Sequence, residues 1–313
     1  MDAMKTALAL GSLLVGALSQ AAVVQVNGTT VGAPTFNRYT EDLTGPSAAG
    51  TAVPYSAYQF SVGANGFYAF NTAATFDSVS FLYAGAFNPA APGSNVLIAQ
   101  DDLLNGRTSG FGLNLNAGAY TLVTTGFSNS DAGKFSASIG GAGAITPVSG
   151  VPGPSPAPEI LSIFGSTAGG PTFNRPLEDL SGLSSAGMAV PYSLLSFAVG
   201  VTGTYTFLLT SEFDSFLALY DGFSAGAPTS HLLFAKDDLN NGFTSGFEFS
   251  LQSGKQYQLV TTGFSNSDFG AYGLAVLGAG TVAAVPEPPV ILLMLGGMLA
   301  LCGRRLRAGS RRV

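Results

Sequence analysis

The chain has 313 residues, enough for two domains of ordinary size. Hydrophobic residues make up 46% and charged residues 10%, with 42 glycines and 23 phenylalanines, a composition that favours short strands and tight turns over long helices. Residues 23–289 carry six basic side chains against seventeen acidic ones. This acidic body disfavours binding to phosphate backbones, where cationic side chains supply most of the affinity, so we expect no nucleic-acid partner.

Residues 1–22 have the anatomy of a secretory signal peptide. Lys5 precedes an apolar run over residues 7–18, and small residues follow at Ala17, Ser19 and Ala21 in a small-x-small cleavage pattern. Cys302 is the single cysteine, so no intramolecular disulfide can form. The sequence therefore predicts an exported protein that is held together by packing, with or without metal ions.

The body of the chain is an internal duplication. Residues 122–131 (LVTTGFSNSD) recur letter for letter as residues 259–268, and residues 34–38 (PTFNR) recur in full as residues 171–175. Each copy spans roughly 120 residues, longer than the periods of solenoids and propellers. We predict two separately folded domains, at residues 23–146 and 159–280, joined by a Pro-rich, semi-rigid linker at residues 147–158.

Within each copy, apolar residues alternate with period two. Phe111 and Leu115 face one way while Asn114 faces the other, and Phe247 and Leu251 repeat the pattern in the second copy. Further strands are predicted at residues 58–62, 67–71, 79–83, 96–99, 120–125 and 135–139, with partners beginning near residues 195, 205, 216, 232, 257 and 272. Seven or eight short strands per copy predict an all-β fold of two tandem antiparallel β-sandwiches.

The second copy resembles the bacterial pre-peptidase C-terminal domain. The resemblance is carried by residues 203–207 (GTYTF), 213–222 (FDSFLALYDG) and 257–264, and the first copy matches less well through residues 65–68 and 76–78. That family implies a jelly-roll-like sandwich, usually appended to secreted peptidases. This sequence contains no peptidase domain, so a role in assisting a protease is not carried over.

Paired aspartates are the best candidates for a site. In each copy one aspartate precedes a strand and two adjacent ones follow another: Asp77, Asp101 and Asp102, and then Asp214, Asp237 and Asp238. Calcium takes six to eight oxygen ligands, so these carboxylates with backbone carbonyls are a candidate calcium site in each copy. The alternative is that the aspartates only cap Gly- and Asn-rich turns through Asx hydrogen bonds.

Other chemistry has little support in the sequence. His231 is the only histidine, which excludes a serine triad or a multi-histidine zinc site. A hydrolase that uses the aspartates as an acid/base pair stays open, although no further residue favours it. We therefore expect a non-enzymatic protein.

The C-terminal segment, residues 281–313, looks like a sorting signal. Val285, Pro286, Glu287 and Pro288 precede an apolar run at residues 290–302, which a cluster of arginines beginning with Arg304 and Arg305 follows. We predict a single transmembrane helix at about residues 289–303, with the arginines as a cytoplasmic stop. The thirteen apolar residues would span only ~20 Å as a helix, short of the ~30 Å hydrocarbon core.

The motif, the apolar helix and the arginines closely resemble the PEP-CTERM sorting signal of Gram-negative bacteria. That family implies an inner-membrane precursor, cleavage by an exosortase, and delivery to the cell surface or an exopolysaccharide matrix. A second proline, Pro289, and the extension through Arg312 depart from the usual pattern. We expect a structural or adhesive surface protein; the alternatives are a carbohydrate-binding module that recognises exopolysaccharide, and the aspartate hydrolase.

Overall fold

The computed structural model describes residues 23–149, 160–239 and 243–285. Over these ranges the chain is all-β and forms two tandem β-sandwiches, which confirms the predicted fold class. Domain 1 (residues 23–149) and domain 2 (residues 160–285) repeat the same order of strands. The signal peptide, most of the predicted linker and the predicted transmembrane helix lie outside the described residues.

The described residues of each domain form ten strands. Those of domain 1 are β1 (Val23–Thr29), β2 (Thr35–Phe36), β3 (Val53–Val62), β4 (Gly66–Ala74), β5 (Ser78–Ala84), β6 (Val96–Gln100), β7 (Thr108–Leu115), β8 (Gly118–Gly126), β9 (Lys134–Gly141) and β10 (Ile145–Ser149). Those of domain 2 are β11 (Ile160–Ser166), β12 (Thr172–Phe173), β13 (Val190–Val199), β14 (Gly203–Ser211), β15 (Ser215–Tyr220), β16 (Leu232–Lys236), β17 (Thr244–Leu251), β18 (Gln256–Gly263), β19 (Ala271–Gly278) and β20 (Val282–Ala284).

Two antiparallel sheets face each other in each sandwich. In domain 1 the smaller sheet has the order β1-β9-β4-β7 and the larger one β10-β3-β8-β5-β6, with β2 added beside β3. Alternating apolar side chains from both inner faces fill the space between them, as period-two strands require. Phe60, Tyr68, Phe70, Leu82 and Phe135 form the centre of this core. Domain 2 repeats it with sheets β11-β19-β14-β17 and β12-β13-β18-β15-β16.

The outer face of each larger sheet is also covered. In domain 1 the segment that follows β2 folds over Phe81, Tyr83 and Val123, and Phe36 packs edge-on against Tyr55 with ring centroids 5.2 Å apart. This cover brings the PTFNR segment and its arginine to the end of the sheet where β5 begins.

The two sandwiches are packed against each other through the outer faces of their smaller sheets. Strand β4 is buried on both faces, and it lies against β19. The rings of Phe67 and Phe164 stack across the joint with centroids 6.3 Å apart. An interdomain cluster completes the contact, and it consists of Ala73, Leu103, Ile160, Leu208 and Ala275. The two domains therefore form a pair in contact.

The sandwiches extend past the predicted boundaries. Strand β10 includes Pro147 and Ser149, which the sequence analysis placed in the linker, and β20 lies beyond residue 280. Proline lacks an N–H donor and is tolerated on an edge strand, and β10 pairs only with β3, with a register shift between Pro147 and Ser149. β1, β2 and β10 are the strands of domain 1 that alternation did not predict.

Candidate metal centre

The structure brings together the three aspartates of each domain. Asp77 stands just before β5, and Asp101 and Asp102 stand just after β6. Because β5 and β6 are antiparallel neighbours, the start of one and the end of the other meet at the same end of the sheet. One carboxylate oxygen from each of these residues lies within 4.8 Å of the others. We call this group the domain-1 trio.

Domain 2 repeats the arrangement at the matching place. Asp214 precedes β15, and Asp237 and Asp238 follow β16. Their carboxylate oxygens also lie within 4.8 Å of one another, and we call them the domain-2 trio. The duplication therefore preserves the spatial cluster of three carboxylates as well as the three residues in the sequence.

A tight loop at residues 101–107 closes over the domain-1 trio. The N–H of Leu103 donates to the carbonyl of Thr108 at 2.9 Å, and the N–H of Ser78 donates to the carbonyl of Gly106 at 2.8 Å. Gly106 adopts φ = +66°, a left-handed conformation that favours glycine. A β-carbon at Gly106 would lie 3.6 Å from carboxylate oxygens of Asp77 and Asp102. The backbone of the loop thus passes directly beside the carboxylates.

The buried oxygens of both trios have no hydrogen-bond partner in the protein. The Oδ1 atoms of Asp77 and Asp101, and those of Asp214 and Asp237, are shielded from solvent and receive no donor. Buried polar atoms are almost always paired, because an unpaired one costs about 1–3 kcal/mol. Carboxylate oxygens that face one another without donors fit a bound cation better than they fit turn capping.

Burial and mutual repulsion disturb the protonation of these carboxyl groups. Burial, followed by the nearby charges of Asp102 and Asp77, raises the pKa of Asp101 to about 7. Burial, followed by the charge of Asp238, raises the pKa of Asp237 to about 6. Two like charges about 4 Å apart repel by about 4 kcal/mol at an effective dielectric constant of ~20. A divalent cation would relieve this repulsion.

The pKa values of the first aspartate in each trio also rise. Burial is the main cause for Asp77 and for Asp214, and neighbouring aspartates add to it. Arg38 and Arg175 act in the opposite direction on their own trios without cancelling the rise.

A buried arginine in the segment just after the second strand of each domain supports the trio. The Nε and Nη2 of Arg38 donate to the carbonyl of Phe127 at 3.0 and 2.8 Å, and Nη1 donates to the carbonyl of Tyr39 at 3.0 Å. The N–H of Phe127 donates in turn to the carbonyl of Asp77 at 3.0 Å. Through Phe127, Arg38 therefore fixes the backbone position of Asp77.

Arg175 repeats this support in domain 2. Its Nε donates to the carbonyl of Phe264 at 2.7 Å, and its guanidinium lies 4.5 Å from the centroid of the Phe264 ring. The N–H of Phe264 donates to the carbonyl of Asp214 at 2.9 Å. The sequence showed both arginines in the repeated PTFNR segment but indicated no role for them.

The repeated decapeptide supplies turn contacts around the same end of the sandwich. The Oδ2 of Asp131 accepts from the N–H of Ser128 at 2.7 Å and from its hydroxyl at 2.6 Å. The Oδ1 of Asn129 accepts from the N–H of Ala52 at 2.8 Å. Asp268 and Asn266 make the matching contacts in domain 2. These side chains shape the loop that carries Phe127 and Phe264.

His231 has a structural role. It adopts φ = +59°, and its Nδ1 lies 3.0 Å from the Oδ1 of Asp221. Asn95 occupies the matching turn of domain 1 at φ = +53°, and its side-chain amide donates to the carbonyls of Ala84 and Ala86. A polar side chain that braces a left-handed turn explains both residues without catalysis.

The trios suit a hard cation such as calcium. They offer only oxygen atoms, which calcium prefers, and three carboxylates supply three to six of the six to eight ligands that it takes. Water and backbone carbonyls would supply the rest. Neither trio contains histidine or cysteine, so zinc and copper are poor matches.

A cleft of about 320 Å³ lies between the domains, beside the domain-1 trio. Phe243 of domain 2 is 56% exposed and forms one wall. The Nε2 of Gln100 donates to Glu41 at 2.8 Å on the opposite wall. The other lining residues are Ile98, Leu103, Gly110, Phe111, Gly112 and Thr244. None of the trio aspartates lines this cleft.

The predicted sorting residues fall at and beyond the end of the described chain. The N–H of Val285 donates to the carbonyl of Ser196 at 2.8 Å. Pro286, Glu287, Pro288, Arg304 and Arg305 lie outside the described residues. Among the residues that are described, no helix has the length and apolar character needed to cross a bilayer.

No protein-family model and no curated protein matches this chain. Solved structures show weak likenesses only. An anti-sigma factor domain-containing protein from Clostridium clariflavum is 13% identical, with 85% of this chain and 98% of that chain covered and a TM-score of 0.23. The glycosylasparaginase PNGase F from Flavobacterium meningosepticum is 8% identical, with 84% and 100% covered and a TM-score of 0.22.

A further likeness is to a Parabacteroides distasonis protein that is described as a candidate for secretion. It is 10% identical, with 84% of this chain and 91% of that chain covered and a TM-score of 0.22. Similarities of this size assign no function, so the function has to be argued from the chain itself.

Proposed function

We propose that this protein is an exported, non-enzymatic structural or adhesive protein whose two sandwiches each bind calcium. The observation that carries the calcium proposal is the aspartate trio, repeated in both domains with buried oxygens that lack donors. Calcium is available outside cells, where modules of this kind bind it with Kd values of about 10⁻⁴–10⁻³ M. Bound calcium would stiffen the loops at one end of each sandwich.

Calorimetric titration tests the calcium proposal directly. We expect one calcium ion per domain in the wild-type protein. Asp102→Asn should remove the domain-1 ion only, and Asp238→Asn the domain-2 ion only. Glu212→Gln is a matched control, because Glu212 is exposed and belongs to neither trio. A titration without heat of binding, together with a thermal melt that calcium and chelator leave unchanged, would refute the proposal.

The export and sorting part of the proposal is supported by the sequence of the two termini. A signal peptide at residues 1–22 and a PEP-CTERM-like segment at residues 281–313 predict an inner-membrane precursor, cleavage by an exosortase-type enzyme, and release to the surface or an exopolysaccharide matrix. Deleting residues 286–288 should trap the protein in the inner membrane, as shown by cell fractionation and immunoblotting. Normal arrival of this deletion variant at the surface would contradict the sorting proposal.

The absence of a catalytic role is part of the same proposal. The trio aspartates do not line the interdomain cleft, and His231 is engaged with Asp221 at a turn. A hydrolase that used the aspartates would lose turnover in Asp102→Ala and Asp238→Ala variants. We expect no turnover of polysaccharide or peptide substrates by the wild-type protein.

The cleft favours one second candidate, a carbohydrate-binding function. Its exposed Phe243 and the Gln100–Glu41 pair combine an apolar face with polar groups, the usual make-up of a small-molecule site at a domain interface. Phe243→Ala should abolish binding on a glycan array. Phe269→Ala is the matched control, because Phe269 is 47% exposed and lies outside the cleft. Equal binding by both variants would refute this candidate.

A further inference from the structure

The loop at residues 101–107 belongs to the domain-1 trio and to the interdomain joint at the same time. Its first two residues are the aspartates, and Gly106 lies beside the carboxylates of Asp77 and Asp102. Between them, Leu103 is buried in the interdomain cluster, together with Ile160 and Ala275 of domain 2.

The next two residues of the loop also contact domain 2. Leu104 packs against the interdomain cluster, and a β-carbon at Gly246 would lie 3.3 Å from its Cδ1. The side-chain amide of Asn105 donates to the carboxylate of Glu248 on β17. Three consecutive residues between the carboxylates and Gly106 therefore form contacts with the neighbouring domain.

Domain 2 differs from domain 1 at one of the three matching positions. Leu239 corresponds to Leu103 and also packs on the interdomain cluster. Asn240 and Asn241 stand where domain 1 has Leu104 and Asn105, so the leucine that reaches across the joint is not repeated. Leu104 is therefore a contact with the neighbouring domain that is specific to the domain-1 loop.

We infer that cation binding by the domain-1 trio controls how tightly the two domains dock. A bound cation draws Asp102, the exposed member of the trio, towards Asp77 and Asp101, and so fixes the loop that presents Leu104 and Asn105 to domain 2. Without a cation the three carboxylates repel one another, and the loop loosens together with its contacts. This inference rests on the calcium binding proposed above.

A distance measurement between the domains tests the inference. Spin labels at Ser94→Cys and Ser230→Cys, both exposed turn positions, report the separation of the domains in the full chain that also carries Cys302→Ser. We expect a narrow distance distribution in calcium and a broader one, shifted to longer distances, in chelator. Calorimetric titration of the same labelled protein measures calcium binding independently.

Two sets of variants complete the experiment. Asp102→Asn should broaden the distribution even in calcium, whereas Asp238→Asn should lose the domain-2 ion and keep a narrow distribution. A Leu104→Ala, Asn105→Ala double variant should bind one calcium ion per domain and still show the broad distribution.

The outcomes separate the inference from the proposed function. Failure to bind calcium refutes both. Calcium binding with the same distribution in calcium and chelator, a narrow distribution in the double variant, or equal broadening by Asp102→Asn and Asp238→Asn refutes the inference alone.

Discussion

At the scale of single residues, Arg38 connects the core of domain 1 to its trio. Its side chain is buried, it donates three hydrogen bonds to two carbonyls, and it covers the Phe127 ring at 4.8 Å. The carbonyl of Phe127 accepts two of those bonds, so the loop after β8 depends on this guanidinium. Arg175 donates two hydrogen bonds in domain 2, to the carbonyls of Phe264 and Pro176.

Replacing this arginine should be costly. We expect Arg38→Met to lower the free energy of unfolding by about 2–4 kcal/mol, because it leaves buried carbonyls without donors. Chemical denaturation measures the loss. Arg107→Met is the matched control, since Arg107 is exposed and should change stability by less than about 0.5 kcal/mol. Equal losses from the two variants would show that Arg38 has no special role.

Asp101 makes the calcium-free protein sensitive to pH. Its pKa is raised to about 7 in the folded state, against about 3.9 in an unfolded chain. The folded state therefore binds more protons between these values, and stability falls as the pH rises through this window. In calcium-free buffer the urea midpoint should be higher at about pH 5 than at about pH 7.5. Asp101→Asn should weaken this dependence of the urea midpoint on pH. A midpoint that rises with pH in the wild-type protein would contradict the prediction.

At the scale of elements, the hairpin of β5 and β6 builds the site. The loop after β6 has to turn sharply to bring its carboxylates back towards Asp77, and Gly106 makes the turn with a positive φ. An L-residue at such a position costs about 1 kcal/mol.

Gly106→Ala should therefore have two effects. We expect a loss of about 1 kcal/mol in stability from the left-handed backbone, and weaker calcium binding because the loop shifts away from the carboxylates. Gly32→Ala isolates the first effect: Gly32 has φ = +73° with no atom near its missing β-carbon, and it belongs to no trio. Calorimetric titration and denaturation of both variants check the result. Unchanged calcium affinity in Gly106→Ala would show that this loop does not shape the site.

The strands were largely predictable because their residues alternate. Phe111 and Leu115 are buried and Asn114 is exposed, as period-two reading requires. Strand β10 was not predicted because proline usually interrupts a strand. On an edge strand, however, the missing N–H of Pro147 need not cost a hydrogen bond of the sheet. Strand β4 is buried on both faces, and its small and apolar residues lack alternation, which fits burial on both faces but does not identify the second partner sheet.

The aspartates of the site could be predicted from the sequence, but the arginine that supports them and the joint beside them could not. Three repeated aspartates at strand ends were enough to nominate both trios, since an antiparallel pair brings a strand's start beside its neighbour's end. The supporting role of Arg38 could not be predicted, because a single sequence does not show whether an isolated arginine side chain is buried. The joint with domain 2 depends on contacts between distant segments, which sequence periodicity does not encode.

At the scale of the whole molecule, small residues allow the two sandwiches to approach closely. A β-carbon at Gly273 of β19 would lie only 2.3 Å from the Cβ of Ala69 on β4. At Gly140 a β-carbon would lie 2.8 Å from the Cβ of Phe164. The joint is therefore closely packed, so one bulky side chain should separate the domains.

Gly273→Leu tests this packing. In calorimetry with calcium present, the wild-type protein should unfold in one cooperative transition, because each domain stabilises the other across the joint. The variant should show two transitions, with the domain-2 transition at the lower temperature. Gly182→Leu is the control, since no atom lies within 4 Å of its missing β-carbon. A single, unshifted transition in Gly273→Leu would contradict a tightly packed joint.

The short last strand sets how close a processing enzyme has to come. β20 pairs with β13 through Ala284, and the N–H of Val285 donates to the carbonyl of Ser196, so the described fold reaches the residue just before Pro286. An enzyme that cuts at this motif meets its substrate with no spacer from a bulky domain. It has either to work against the domain surface or to peel three residues of β20 away first. Lengthening the chain by a few flexible residues after Val285 should therefore speed the proposed cleavage.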